Sequence, residues 1–220
     1  MLNSQKHVFW QALLVTFLIF LIGIFFGVIL ENFRIGKIDD LYQKSEINLL
    51  DIKLQTEIYS MGNFNCEVAV NENFEFAERI YKEALLLERY QSASNLKEDL
   101  NTRHRKYDLL RANLFLNSLM IKEKCNESYK NVVYLYKMNN QTLDIKAKQN
   151  TFSKLLYELK KKMGNSILLI PIAGDNNLVS VNLIMDKFNI TKDDLPVILI
   201  NEKIKVKDLQ TIEELEKYFK

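Results

Sequence analysis

The sequence predicts a mixed chain, α+β or α/β, in three parts: an N-terminal transmembrane helix, a helical module of three helices, and a C-terminal domain of element order β-α-β-α-β-β-α. Three observations lead there. One apolar run near the N-terminus has the length of a bilayer span, apolar residues between positions 38 and 124 recur at helical spacing, and from residue 130 onward β-branched runs alternate with helical patterns. Composition narrows the choice further. Six Gly and two Pro in 220 residues are too few turn residues for a propeller or a many-stranded all-β fold. With 30 Lys and Arg against 28 Asp and Glu and no basic block, the chain lacks the electrostatic footprint of a nucleic-acid binder, so no nucleic-acid partner is expected.

After a tail of residues 1–7, residues 8–30 form the expected membrane span: Val8 to Leu30 carries no charge and, at about 1.5 Å per residue, exceeds a hydrocarbon core of about 30 Å. The run is longer than the apolar core of a cleaved signal peptide and ends in Leu30-Glu31-Asn32-Phe33 rather than at a small-residue cleavage site. A retained signal anchor is therefore expected, with cleavage as the alternative. Gly23 and Gly27 stand four apart, a spacing that lets two helices approach closely in lipid and so allows a homodimer through the span, although Gly is also simply common in membrane helices. Arg34, Lys37 and Lys44 follow the span and only Lys6 precedes it, which by charge count favours a cytoplasmic C-terminal part. The layout of a short tail, an anchor and a large following domain favours export instead.

Residues 37–125 make up the helical module. In its first helix Ile47, Leu50, Leu54, Ile58 and Met61 recur at spacings of 3, 4, 4 and 3, which predicts one buried face, and Gly62-Asn63 ends it. A second helix is expected from about Asn73, burying Ala77, Ile80, Ala84 and Leu87, and a third from Thr102 to Lys124, burying Tyr107, Leu110, Leu114 and Ile121. The polar stretch Gln91 to Asn95 supplies the turn between them. If the three helices run out, back and out, Cys66 and Cys125 come to the same end and can form a disulfide, which needs an oxidising compartment; two unrelated buried thiols are the alternative. Together with the anchor layout, this pair supports an extracytoplasmic C-terminal part on a single-pass membrane protein.

Residues 128–220 change character. Lys130 to Tyr136 and Ser166 to Ile172 read as buried strands around a helix from Thr142 to Met163 with Phe152, Leu156, Leu159 and Met163 on one face. Leu178, Val181, Met185 and Phe188 mark a short helix. Pro196 to Ile200 and Ile204 to Val206 form a hairpin across Asn201-Glu202-Lys203, and Thr211 caps a last helix through Ile212, Leu215 and Phe219.

This order, with the string Asp194-Leu195-Pro196-Val197-Ile198-Leu199-Ile200-Asn201-Glu202-Lys203, resembles the thioredoxin-like fold superfamily over residues 128–220. The resemblance implies a cis-proline at Pro196 opening the third strand. It also implies that Leu195 and Pro196 face the start of the helix after Tyr136, at Asn139 and Asn140, and that this junction binds extended peptide. Active members carry a Cys-x-x-Cys or single Cys between the first strand and helix, where the helix N-terminus favours the thiolate. Here Lys137-Met138-Asn139-Asn140-Gln141-Thr142 stands in that place, and residues 126–220 contain no cysteine. Dithiol exchange by this domain is excluded.

Other chemistry is sparse. The two histidines, His7 and His104, read as surface residues, and Cys and His numbers are too small for a four-ligand zinc site, so neither a metal nor a cofactor is expected. Asp175 in Gly174-Asp175-Asn176-Asn177 lies between a strand and a helix, where α/β sheets often bind ligands, and a turn with an Asx helix cap is the plainer reading. The sequence thus points to a binding or scaffold module for envelope proteins or polypeptides, with a protein or peptide partner. The alternative is an accessory in thiol–disulfide exchange that cycles Cys66 and Cys125.

Overall fold

A computed structural model describes residues 2–91, 97–126, 129–139 and 141–219 of a mixed α+β chain that divides into two units, Met1–Lys44 and Ser45–Lys220. The first unit belongs to α1 (Leu2–Met61), a helix that also enters the second. Within residues His7–Lys37 the most apolar stretch reaches a mean hydropathy of 3.1 and none of it is buried, so this helix is long and apolar enough to cross a membrane. Gly36 lies inside α1 without interrupting it, since a single Gly costs only about 1 kcal/mol in a helix interior. A side chain at Gly23 or Gly27 would meet nothing within 4 Å.

The second unit contains the end of α1, then α2 (Cys66–Gln91), α3 (Lys97–Cys125), β1 (Lys130–Tyr136), α4 (Leu143–Met163), β2 (Ile167–Ala173), α5 (Val179–Lys187), β3 (Val197–Ile200), β4 (Ile204–Val206) and α6 (Ile212–Glu216). Helix α2 begins two turns earlier than the apolar pattern suggests, because the Val68 amide donates to Asn65 Oδ1 at 3.2 Å and so caps it early. The turn expected at Gln91 to Asn95 lies almost wholly outside the described residues.

The strands form one sheet of order β2-β1-β3-β4. β1 runs parallel to β2, with Val133 opposite Ile170, and antiparallel to β3, with Val133 opposite Leu199; β3 and β4 are an antiparallel hairpin. Side chains alternate across the sheet. Val133, Leu135, Leu168, Ile170, Ile172, Val197 and Leu199 pack into one core with Ile52 of α1, Phe76 and Ile80 of α2, Leu110 and Phe115 of α3 and Val181 of α5. On the other face Val132, Tyr134, Ile198 and Ile200 meet Phe152, Leu156 and Leu159 of α4 and Leu215 of α6. The result is three layers with helices on both faces. Within this unit α2 and α3 share one core with the sheet.

One expectation is overturned in α1. Its inward face is Ser45, Ile52 and Tyr59, seven apart and buried, whereas Ile47, Leu50, Leu54, Ile58 and Met61 are all exposed. At about 100° per residue, Leu54 lies about 200° from Ile52, so the predicted buried stripe is on the opposite side of the helix. The 3-4-4-3 spacing identifies an apolar face without saying whether the core is behind it.

Cys66 and Cys125 are bonded, with Cα atoms 5.6 Å apart. Beside them Lys124 Nζ donates to the carbonyls of Tyr59 and Ser60 at 2.9 and 3.1 Å, satisfying the last turn of α1. Gly62 follows at φ +84°, where a Cβ would lie 2.8 Å from that ammonium. At the hairpin, Asn201 and Glu202 both take positive φ without glycine. Glu202 is held there by Asn131 Nδ2 at 2.6 Å and Lys122 Nζ at 2.9 Å, which also donates to Asn201.

The outer edge of β2 is blocked at three of its outward positions. Gly174 N–H donates inward to Tyr136 O at 2.8 Å, so residues 173, 171, 169 and 167 point outward. Of these, the Ala173 amide is bound by Asp108 Oδ1 at 3.2 Å, Pro171 has no amide hydrogen, and the Ile167 carbonyl accepts from Lys160 Nζ at 2.9 Å.

Candidate functional site

The junction singled out by sequence lies where β1 and β2 end and β3 begins. The Leu195-Pro196 peptide bond is cis, immediately before β3. Leu195 follows a capping box in which the Thr191 amide and hydroxyl donate to Asp194 Oδ2 at 2.7 and 2.9 Å. Lys207 Nζ adds an ion pair to the other oxygen at 2.5 Å. Lys207 and the two Thr191 donors hold the Asp194 carboxyl well below the usual carboxylate range. The chain entering the cis bond is thereby fixed from one side.

From the other side it meets Gly174. A Cβ there would come 2.9 Å from Leu195 Cδ1 and 3.0 Å from Met185 Sδ, so the position admits only glycine without a shift of those side chains. Gly174 in turn holds the end of β1 through its bond to Tyr136 O. The next residue, Asp175, spreads its carboxylate over two amides, Met138 N–H and Asn139 N–H, both at 2.7 Å. Gln149 of α4 completes the loop, accepting from Lys137 N–H at 2.8 Å and donating to Lys137 O at 3.0 Å. Thr142 caps α4 by accepting from the Ile145 amide.

A second acid stands behind this arrangement. Asp108 on α3, fully buried, accepts from Ala173 N–H, from Asn176 Nδ2 at 2.7 Å and from Arg111 at 3.3 Å. Burial pushes its carboxyl above the ordinary value, and Arg111, Asn176 and Ala173 pull it back. Asn176 Oδ1 accepts the Leu178 amide at 3.1 Å, an Asx turn that leads into α5. The loop Gly174 to Asn177 is therefore a clasp that ties α3, β1 and α5 to the end of β2. Asp175 binds backbone amides.

Of the predicted site residues, the structure fastens Asn139 to Asp175 and seats Leu195 against the adjoining Gly174, so both border the same clasp. Asn140 lies outside the described residues. Leu195 and Pro196 are buried, and Asn139 and Gln141 are the exposed side chains of the junction. His104, expected at the surface, is half-buried on α3 and contributes to the electrostatics of Asp108. Sequence reasoning missed Asp108, Gln149 and Asp194, whereas the turn with an Asx helix cap read at Gly174 to Asn177 is present through Asn176. Of the missed residues Asp108 left a signal, an acid set between Tyr107 and Leu109-Leu110 on a helix with a wide apolar surface. Among the described residues no group of three or more His, Cys, Asp or Glu is placed to hold a metal. No protein-family model, curated protein or solved structure matches the chain.

Proposed function

We propose that this chain is a single-pass membrane protein with an extracytoplasmic, thioredoxin-like binding module that holds extended segments of other envelope polypeptides without redox chemistry. The observation that carries the reading is the cis Leu195-Pro196 bond beside the Gly174-Asp175 clasp. It opens β3 in a sheet of order β2-β1-β3-β4 with β3 antiparallel to β1. That combination supports the thioredoxin-like reading, and the lack of any cysteine in residues 126–220 separates it from thiol catalysis. A peptide lying along this junction in extended form would meet Asn139 and Gln141, whose amides can pair with peptide backbone groups.

The apolar helix His7–Lys37 supports the anchor, and the Cys66–Cys125 bond supports an oxidising compartment for the second unit. Both half-cystines are half-buried, with Cys125 packed against the cluster of Tyr59, Ala69 and Ile121. That enclosure favours a structural bond over the exchange role.

The test is site-specific photocrosslinking from Asn139 and from Gln141 in the membrane-embedded protein. Adducts with the same polypeptides from both positions, lost in a Pro196→Ala variant that keeps its midpoint of unfolding, are expected. Adducts unchanged by that variant would place binding elsewhere, on the helices. Protease added to intact cells should digest the second unit, and full protection beside a digested surface control would reverse the topology.

A further inference from the structure

The side of α1 opposite the core is apolar and uncovered. Ile47, Leu50, Leu54, Ile58 and Met61 keep 67, 65, 59, 51 and 78% of their surface open, on a helix whose other side is already packed through Ile52 and Tyr59. Scattered exposed Leu or Ile needs no explanation, but five in one row along a single helix face mark an interaction surface.

We infer that this row is where two copies of the chain pair, helix against helix and in parallel; the inference rests on the membrane anchoring proposed above. The row is one side chain wide and steps by 3, 4, 4 and 3, the seam that a single partner helix fills by knobs-into-holes packing. It spans fifteen residues and about 21 Å of helix.

Its size selects the occupant. Five side chains that are already one-fifth to one-half covered can bury on the order of 300–400 Å² more per copy. Stable complexes of freely diffusing proteins bury about 800 Å² per partner. The row is too small to capture a soluble protein. It suffices for a neighbour held in the same bilayer by the same segment, because confinement raises the effective concentration and fixes both copies in one orientation. A second copy also presents the identical row, as a twofold interface requires.

The charges beside the row are mixed, Glu46, Lys53 and Glu57 on one flank and Lys44 and Asp51 on the other. Glu46 is further paired within its own chain with Lys106 at 3.5 Å.

The experiment places a single new thiol in the full chain in native membranes, with Cys66 and Cys125 left bonded. Mild oxidation should give a covalent dimer of Leu54→Cys, little from Lys53→Cys on the flank, and none from Leu54→Cys when Leu50→Ser and Ile58→Ser are added. All these side chains are exposed, so folding is not at stake, and unchanged circular dichroism of each purified variant verifies it. Equal linking at positions 53 and 54, no link at 54, or an adduct only with a different polypeptide would each overturn the pairing. Fractionation separates this result from the anchor reading. Membrane-bound protein without the link removes the interface and keeps the anchor, whereas protein in the soluble fraction that still links upholds the interface and removes the anchor.

Discussion

Replacing both half-cystines, Cys66→Ser with Cys125→Ser, tests how far the helical layer depends on its covalent tie. The bond closes a loop with a sequence separation of 59 residues that contains all of α2 and α3 apart from the cysteines at their ends. In the loop-entropy account a closure of this size removes about 14 cal/mol/K from the unfolded chain, about 4 kcal/mol at 25 °C. The folded state should keep its architecture, because the cluster of Tyr59, Ala69 and Ile121 and the Lys124 contacts to α1 remain at that end. For a unit of this size 4 kcal/mol corresponds to a drop in melting temperature of about 8–16 °C. The assay is denaturant unfolding of the detergent-solubilised full chain, oxidised protein against the double variant, with the slope compared to confirm that the same surface is exposed. A midpoint shift worth less than about 1 kcal/mol would refute the reasoning, since it would mean that the unfolded chain already holds these helices together without the bond.

Three further outcomes are expected. Asp108→Ala leaves Arg111 and Asn176 without their acceptor inside the core and should cost about 3–5 kcal/mol of stability by the same unfolding assay; a cost under 1 kcal/mol would mean that the clasp closes without it. Gly174→Ala forces Leu195 and Met185 apart and should cost about 1–3 kcal/mol, with altered protease sensitivity at the Leu195-Pro196 junction; an unchanged midpoint would show that the contact yields freely. Asp194 has a lowered folded pKa, so its contribution is fully present above the unfolded carboxylate value of about 4 and is lost as pH falls through the depressed folded value. Asp194→Asn should therefore narrow the gap in stability between neutral and acid pH, and a variant with the same acid limb as the parent would contradict that assignment.

Much of the second unit was legible because its signals are local. Lys130 to Tyr136 is β-branched and aromatic, Thr142 and Thr211 are good caps at the start of amphipathic runs, and Tyr107, Leu110, Leu114 and Ile121 are all buried as their spacing requires. The disulfide followed from helix directions. What failed was the side of α1, because that helix has apolar rows on two opposite faces and periodicity reports a row without its neighbour. Turns were marked unevenly. Asn126, Asn177, Asn189 and Asn201 all take positive φ, so asparagine does in this chain what glycine does in most; Asn177 and Asn201 stand in stretches read as turns, and a search for Gly and Pro misses Asn126 and Asn189. The clasp was illegible for a different reason. Asp108 and Ala173 are far apart in sequence, and only the packing of α3 on the sheet brings the carboxylate to the strand edge.

The blocked positions on the edge of β2 bear on how such a protein survives crowding. Where copies meet often, an open, flat strand of seven residues would let the sheet of one copy extend into the next, the first step toward fibrous aggregates. Proline at position 171 and the two side chains, Asp108 and Lys160, that occupy outward backbone groups deny that route, and the opposite edge, β4, is only three residues long. Restoring an amide at the centre of the edge with Pro171→Val, combined with Asp108→Asn to weaken the hold on Ala173, should leave the fold recognisable by circular dichroism. It should also make the protein thioflavin-positive on storage at concentrations where the parent stays clear.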